Sequence, residues 1–181
     1  MQIILFKNFF AAITIAILMS SLAGKYAHAS QPMPISELQS LIQSCTPSGY
    51  HAILLNIVRK ESSKRPLAIQ INGAYLLRQP ANRQEALSLI QMLKLSDYTF
   101  DIGLAQINSQ HFQSGRFFAS MGYTPEDALD PCINLQMSAA LIDEAYSRTG
   151  SLIQALSIYN TGSPVRGIKN GYVRSVLKQP S

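Results

Sequence analysis

Apolar positions recur at helical spacing along most of this chain from residue 35 onward. In "SELQSLIQSC", Leu38, Leu41, Ile42 and Cys45 share one side, with Ser36 placed to cap. "YHAILLNIVRKES" repeats the rhythm with Ile53, Leu54, Ile57, Val58 and Glu61, so a carboxylate falls on the apolar stripe. Asn82 followed by Glu85 marks the start of a third helix, "NRQEALSLIQMLKL". Thr124-Pro125 and Asp130-Pro131 each place a cap before a proline at the first helical position, and Gly150 closes the second of these segments. Ser151 opens "SLIQALSIYN", and a short helix is expected over 172–177. The pattern also suggests a helix carrying "GLAQINSQHF". Only "LAIQING" hints at an extended stretch, and no persistent period-two alternation exists. The expectation is a mainly α, compact single domain without repeats, linkers or low-complexity tracts.

The first 29 residues read differently. Lys7 precedes an apolar run from Phe9 to about Leu22, and "AHA" at 27–29 fits a cleavage site. This is the pattern of a secretory signal over 1–29, leaving 30–181 as the working domain. An uncleaved membrane anchor is the competing reading, since the run is nearly long enough to span a bilayer. No cysteine lies near the run, which argues against a lipidated anchor. Export changes the reading of Cys45 and Cys132, because two distant cysteines outside the cytosol suggest a disulfide. Two buried thiols are the alternative.

The formal net charge of +5 includes Lys7 and Lys25 of the leader. The remaining excess is small and scattered. It suits an anionic polymer or simple solubility and gives no case for nucleic acid. Only His51 and His111 lie beyond the leader, without HExxH or CxxC, so no metal or cofactor is expected.

Three segments place polar groups inside apolar stripes. They are Glu61-Ser62, Gly103 to Asn108 with Gln106 and Asn108, and "ALSIYNTGS" with Tyr159, Asn160 and Thr161. Each alone fits a helix end or a core ring with a wet tip. Together, one acid, several amides and a phenol are what a saccharide site needs. A carboxyl on an apolar face is held towards its protonated form, as a general acid requires.

Those motifs, "ES", "GLAQIN" and "YNTG" in this order, with "RPLAI" and "NGYVRSV", resemble the lytic transglycosylases of the lysozyme-like superfamily. The match is to the branch that accompanies type IV secretion and conjugation systems, and it covers roughly Ser36 to Leu177. The resemblance implies a lysozyme-like (goose-type or soluble lytic transglycosylase) helical domain with a substrate groove. It implies a periplasmic enzyme acting on the glycan strands of peptidoglycan, alongside secretion or conjugation components. The membrane is met only through the leader. Glu61 is the implied catalytic acid. Ser62, Gln106, Asn108, Tyr159 and Asn160 are the implied substrate contacts, and Tyr159 is expected to orient the Glu61 carboxyl. Gly103 would permit close approach of chain or ligand. Ala105, where the family often has Met, would leave a smaller apolar wall. Asp101 is the only candidate for a second acid and has a plain reading as a cap or surface charge. A hydrolysing muramidase and a non-catalytic wall-binding assembly factor are the alternatives.

Overall fold

The computed structural model describes residues 4–6 and 29–178. Apart from Ile4–Phe6 and Ala29, the expected leader lies outside the described residues. Ile4–Phe6 forms a short strand, β1, antiparallel to β3 (Ala74–Leu76). Two further strands, β4 (Phe100–Ile102) and β5 (Ile107–Asn108), join β2 (Ile69–Ile71) in a three-stranded antiparallel sheet ordered β2-β4-β5. The other elements are helices: α1 (Ile35–Cys45), α2 (His51–Glu61), α3 (Arg83–Leu95), α4 (Pro131–Thr149), α5 (Leu152–Thr161), α6 (Arg166–Lys169) and α7 (Tyr172–Leu177). The domain is therefore mainly α with a small sheet.

The helix ends obey the caps written in the sequence. Asn82 Oδ1 accepts from Glu85 N at 2.9 Å, and Asp130 Oδ1 accepts from Cys132 N and Ile133 N, each at 2.9 Å. Glu85 reaches back to Ala81 N and pairs with Arg78, rather than closing a box on Asn82. Ser36 is not a cap, since α1 begins one residue earlier behind Pro34. Proline needs no N–H partner and pre-sets φ for a helix start. "TPEDAL" makes a 3₁₀ turn, Pro125–Leu129, with Asp127 accepting from Thr124 N at 2.8 Å.

Helix α4 is the central post. It packs against α5 and α1, and contacts α2 as well. A disulfide between Cys45 and Cys132 ties the end of α1 to the first turn of α4, across a separation of 87 residues. The core runs from Leu54, Ile57 and Val58 through Phe100, Ile102 and Leu104 to Leu135, Ile142 and Leu156. Burying such side chains contributes about 1.5–3 kcal/mol each.

The "GLAQIN" segment is not helical. It is the turn joining β4 to β5 and leads into a 3₁₀ turn at Ser109–Phe112. Two left-handed residues account for this, Gly103 at φ +78° and Gln106 at φ +53°. A Cβ on Gly103 would stand 2.2 Å from Asn134 Nδ2 and 2.5 Å from Ala128 O. No other residue type fits that contact without displacement, and it is chain against chain. The strands are too short for their alternation to show in the sequence, yet they alternate. Ile69, Ile71, Phe100, Ile102 and Ile107 are buried, while Gln70, Asp101 and Asn108 between them are not.

Candidate active site

The strand register explains why three polar residues gather. Gln70 stands opposite Asp101, and Asp101 stands opposite Asn108. Because strand side chains alternate between faces, these three form one polar row opposite the buried isoleucines. That row lies in a groove of about 660 Å³. Glu61, at the last position of α2, stands in the same groove, as do Tyr159 and Asn160 from the end of α5. Residues far apart in the chain therefore converge on one cleft.

Glu61 is half-buried. Its carboxyl is held above the usual carboxylate range, first by desolvation and further by the charge of Asp101. Tyr172 and Lys60 act in the opposite sense. Asp101 is also shifted upward by burial, against hydrogen bonds from Asn108 and Asn72. Its Oδ1 accepts from Asn108 Nδ2 at 2.7 Å. Two neighbouring carboxyls in a partly dry cleft disfavour double ionisation, so a proton is retained nearer neutrality than on a free glutamate.

The amides of "GLAQIN" bond to protein first. Gln106 Nε2 donates to Gly103 O at 2.8 Å and Ala68 O at 3.2 Å. Its Oε1 has no hydrogen-bond partner among the described residues. Asn108 holds Asp101 with its amide nitrogen and caps the following 3₁₀ turn with its oxygen, which accepts from Gln110 N at 3.0 Å. Asn160 Oδ1 accepts from Asn170 Nδ2 at 3.0 Å at the groove edge.

Two expected contacts take different places. Ser62 is buried, its hydroxyl donates to Val58 O at 3.2 Å, and it does not line the groove. Following the last residue of α2, it adds a bond to a helix-end carbonyl that also accepts from Ser62 N and Lys64 N, each at 3.3 Å. The Tyr159 hydroxyl donates to Ala105 O at 2.6 Å and accepts from Ser138 Oγ at 3.0 Å. Burial first, and the charge of Glu61 further, push its pKa up, but its proton belongs to the "GLAQIN" backbone. Ala105 is fully buried and does not line the groove.

Sequence reasoning missed two residues. Tyr172, at the start of α7, sits beside Glu61 and favours its charged form. Its buried hydroxyl makes no hydrogen bond among the described residues. Asn134, wholly buried on α4, fastens the floor of the groove. Its Nδ2 donates to Ile102 O at 2.9 Å and Ala128 O at 2.7 Å, and its Oδ1 accepts from Ala105 N at 2.8 Å. Asn134 and Ser138 are four residues apart in a buried stripe, and that pairing was the available signal. Nothing in "NGYVRSV" marks Tyr172 as a neighbour of Glu61.

No group of three or more His, Cys, Asp or Glu residues suited to a metal occurs among the described residues. What the cleft offers is proton chemistry: a carboxyl biased towards its acid form, a second carboxyl, and amide and phenol dipoles around them.

A mainly helical domain with a short sheet and two half-buried carboxyls in a polar cleft is consistent with a lysozyme-like fold. The chain belongs to the transglycosylase SLT domain family, whose model matches residues 41–179. It is 32% identical over 152 residues to Protein virB1 of Agrobacterium fabrum (strain C58 / ATCC 33970), covering 80% of this chain and 60% of that protein. It is 31% identical over 151 residues to the type IV secretion system protein virB1 of Brucella abortus biovar 1 (strain 9-941), covering 76% of this chain and 61% of the relative. The chain thus spans about three-fifths of the length of the curated relatives it matches. No solved structure gives a significant match.

Proposed function

We propose that this protein is a peptidoglycan lytic transglycosylase that opens the cell wall locally for a type IV secretion or conjugation apparatus. In this reading residues 1–29 are a cleaved export signal and 30–181 work in the periplasm as one domain. The observation that carries the reading is the half-buried Glu61, its pKa raised by desolvation and by Asp101, in a cleft lined with amides. Family membership and the name of the Brucella relative support the choice of reaction and apparatus.

Protonated Glu61 donates to the glycosidic oxygen between N-acetylmuramic acid and N-acetylglucosamine. The C1–O bond breaks, and the substrate's own acetamido oxygen closes on the anomeric carbon. The Glu61 carboxylate then takes the proton of the muramic 6-hydroxyl as that oxygen attacks C1, and the C1 bond to the acetamido oxygen breaks. A 1,6-anhydro end results, no water is consumed, and the carboxyl regains its proton. One acid–base group suffices because the substrate brings both nucleophiles. Gln106, through Oε1, and Asn160 are placed to bond sugar hydroxyl and acetamido groups. Asn108 and Tyr159 act through the groove wall, and Tyr172 steadies the Glu61 carboxylate between the two proton transfers.

Asp101 gives a second reading its footing. A carboxylate in the same cleft is what a hydrolysing muramidase uses, with the two carboxyls separated to suit a nucleophile or a water. Mass spectrometry of the products from purified sacculi separates the two, since the anhydro product is lighter by one water. Glu61→Gln abolishes release of soluble muropeptides while retaining wall binding. Undiminished release by that variant removes Glu61 from the acid role. Full complementation of a deletion strain by it would favour an assembly factor that binds the wall without cutting it.

A further inference from the structure

The groove carries charges that a neutral glycan does not require. Beyond the carboxyls it is lined by Arg116, His111, Glu144 and Arg148. Arg148 Nη2 pairs with Glu144 Oε2 at 2.9 Å, one helical turn apart on α4. Arg116 is exposed, and its guanidinium has no ion pair or hydrogen bond among the described residues. His111 feels both Glu144 and Arg116, which places these groups together. Neither arginine is among the charges that act on Glu61, whose charged neighbours are Asp101 and Lys60. Besides Glu61 and Asp101, the groove therefore carries two guanidiniums and the Glu144 carboxylate.

The turn that presents Arg116 is anchored. Arg116 N donates to Gln113 O at 2.9 Å, and Phe118, two residues on, is 1% exposed. The Phe118 ring packs against Phe112, Phe117, Tyr123 and His111, with centroids 5.1 to 6.3 Å apart. The backbone of Arg116 is thus held while its side chain remains free to reach a ligand. A guanidinium offers a rigid fork of donors that matches a carboxylate.

We propose that Arg116, with Arg148, forms a subsite for the carboxylates of the stem peptides borne by the glycan strand. This deepens the peptidoglycan reading above and rests on it. The β-1,4 sugar backbone carries hydroxyl and acetamido groups, which the amides of the groove address. In intact wall the muramic lactyl carboxyl is tied up as an amide, so the fixed anions lie in the attached peptides. A peptide-bearing strand is then preferred to one whose stem carboxylates are neutral, and the cations help set where along the strand the acid meets a bond.

The test uses purified sacculi, native or with their free carboxylates converted to methylamides. Binding is read by co-sedimentation in the Glu61→Gln background, where no cleavage intervenes. The arginines are present in one protein and replaced in the other by Arg116→Gln and Arg148→Gln. With the arginines in place, native sacculi are held about tenfold more tightly than amidated ones. In the double glutamine variant the ratio falls to about twofold or less, and Arg116→Lys retains part of it. An unchanged ratio in the double variant, or no preference in the parent, overturns the subsite. Product release with Glu61 restored is scored separately, so failure of the cleavage reading is distinguished from failure of the carboxylate preference.

Discussion

Replacing Asn134 by Leu tests whether one buried amide fixes the groove. Leucine is close in shape to asparagine but makes no hydrogen bond. Three bonds disappear, to Ile102 O, Ala128 O and Ala105 N. At about 1 kcal/mol net each they sum to about 3 kcal/mol, and a stranded buried N–H adds about 1–3 kcal/mol. Partial relaxation and the apolar gain of leucine offset some of this. The expected loss is about 3–5 kcal/mol, a large share of the 5–15 kcal/mol typical of a domain. Urea unfolding followed by circular dichroism measures it. Ser138→Ala, which removes the single bond to the Tyr159 hydroxyl, calibrates the scale at about 1 kcal/mol. Because Asn134 also holds the turn between β4 and β5, binding of sacculi by the leucine variant weakens even at temperatures where it is folded. A stability change below about 1 kcal/mol, with binding intact, would refute the assignment of Asn134 as the fastening of the groove floor.

Two other expectations concern pH and redox state. Burial raises the pKa of Glu61 from the usual 4.5, so the folded state holds that proton more tightly than the unfolded chain does. The associated stability is present in acid and is lost as pH climbs from the ordinary carboxylate range through the raised value. Glu61→Gln, always neutral, escapes that loss. Its melting temperature gains on the parent as pH climbs from the ordinary carboxylate range, and parallel curves would contradict the desolvated acid. Reduction of Cys45–Cys132, which closes a separation of 87 residues, removes about 4–5 kcal/mol by chain entropy. It lowers the melting temperature by about 10 °C or more, and coincident melts with and without reductant would count against this.

The helical frame was legible because its signals are local. A cap such as Asn82 or Asp130 acts within three residues, and apolar spacing reports directly on the buried face. The sheet was not, because three residues are too few for alternation to stand out. What decides "GLAQIN" is the close approach of Gly103 to Asn134, a contact between distant parts of the chain. The same distinction divides the site. Glu61, Gln106, Asn108, Tyr159 and Asn160 do meet in one cleft, as the motifs implied. Yet the hydrogen bonds of Ser62 and Tyr159 went to the backbone, since a buried hydroxyl is stable only beside a partner and the nearest carbonyls supply one. Tyr172 and Asn134 take their places from tertiary packing, which no stretch of the sequence announces.

The position of Tyr172 on the last described helix bears on how the molecule comes into being. Glu61 leaves the ribosome early, on α2, whereas the phenol beside it arrives only when α7 is synthesised and docks against α2. A nascent chain carrying its acid but not yet α7 lacks the phenol that stands beside that carboxyl. The surroundings of the acid are therefore complete only once α7 has docked, and a chain cut short before α7 would carry the acid without them.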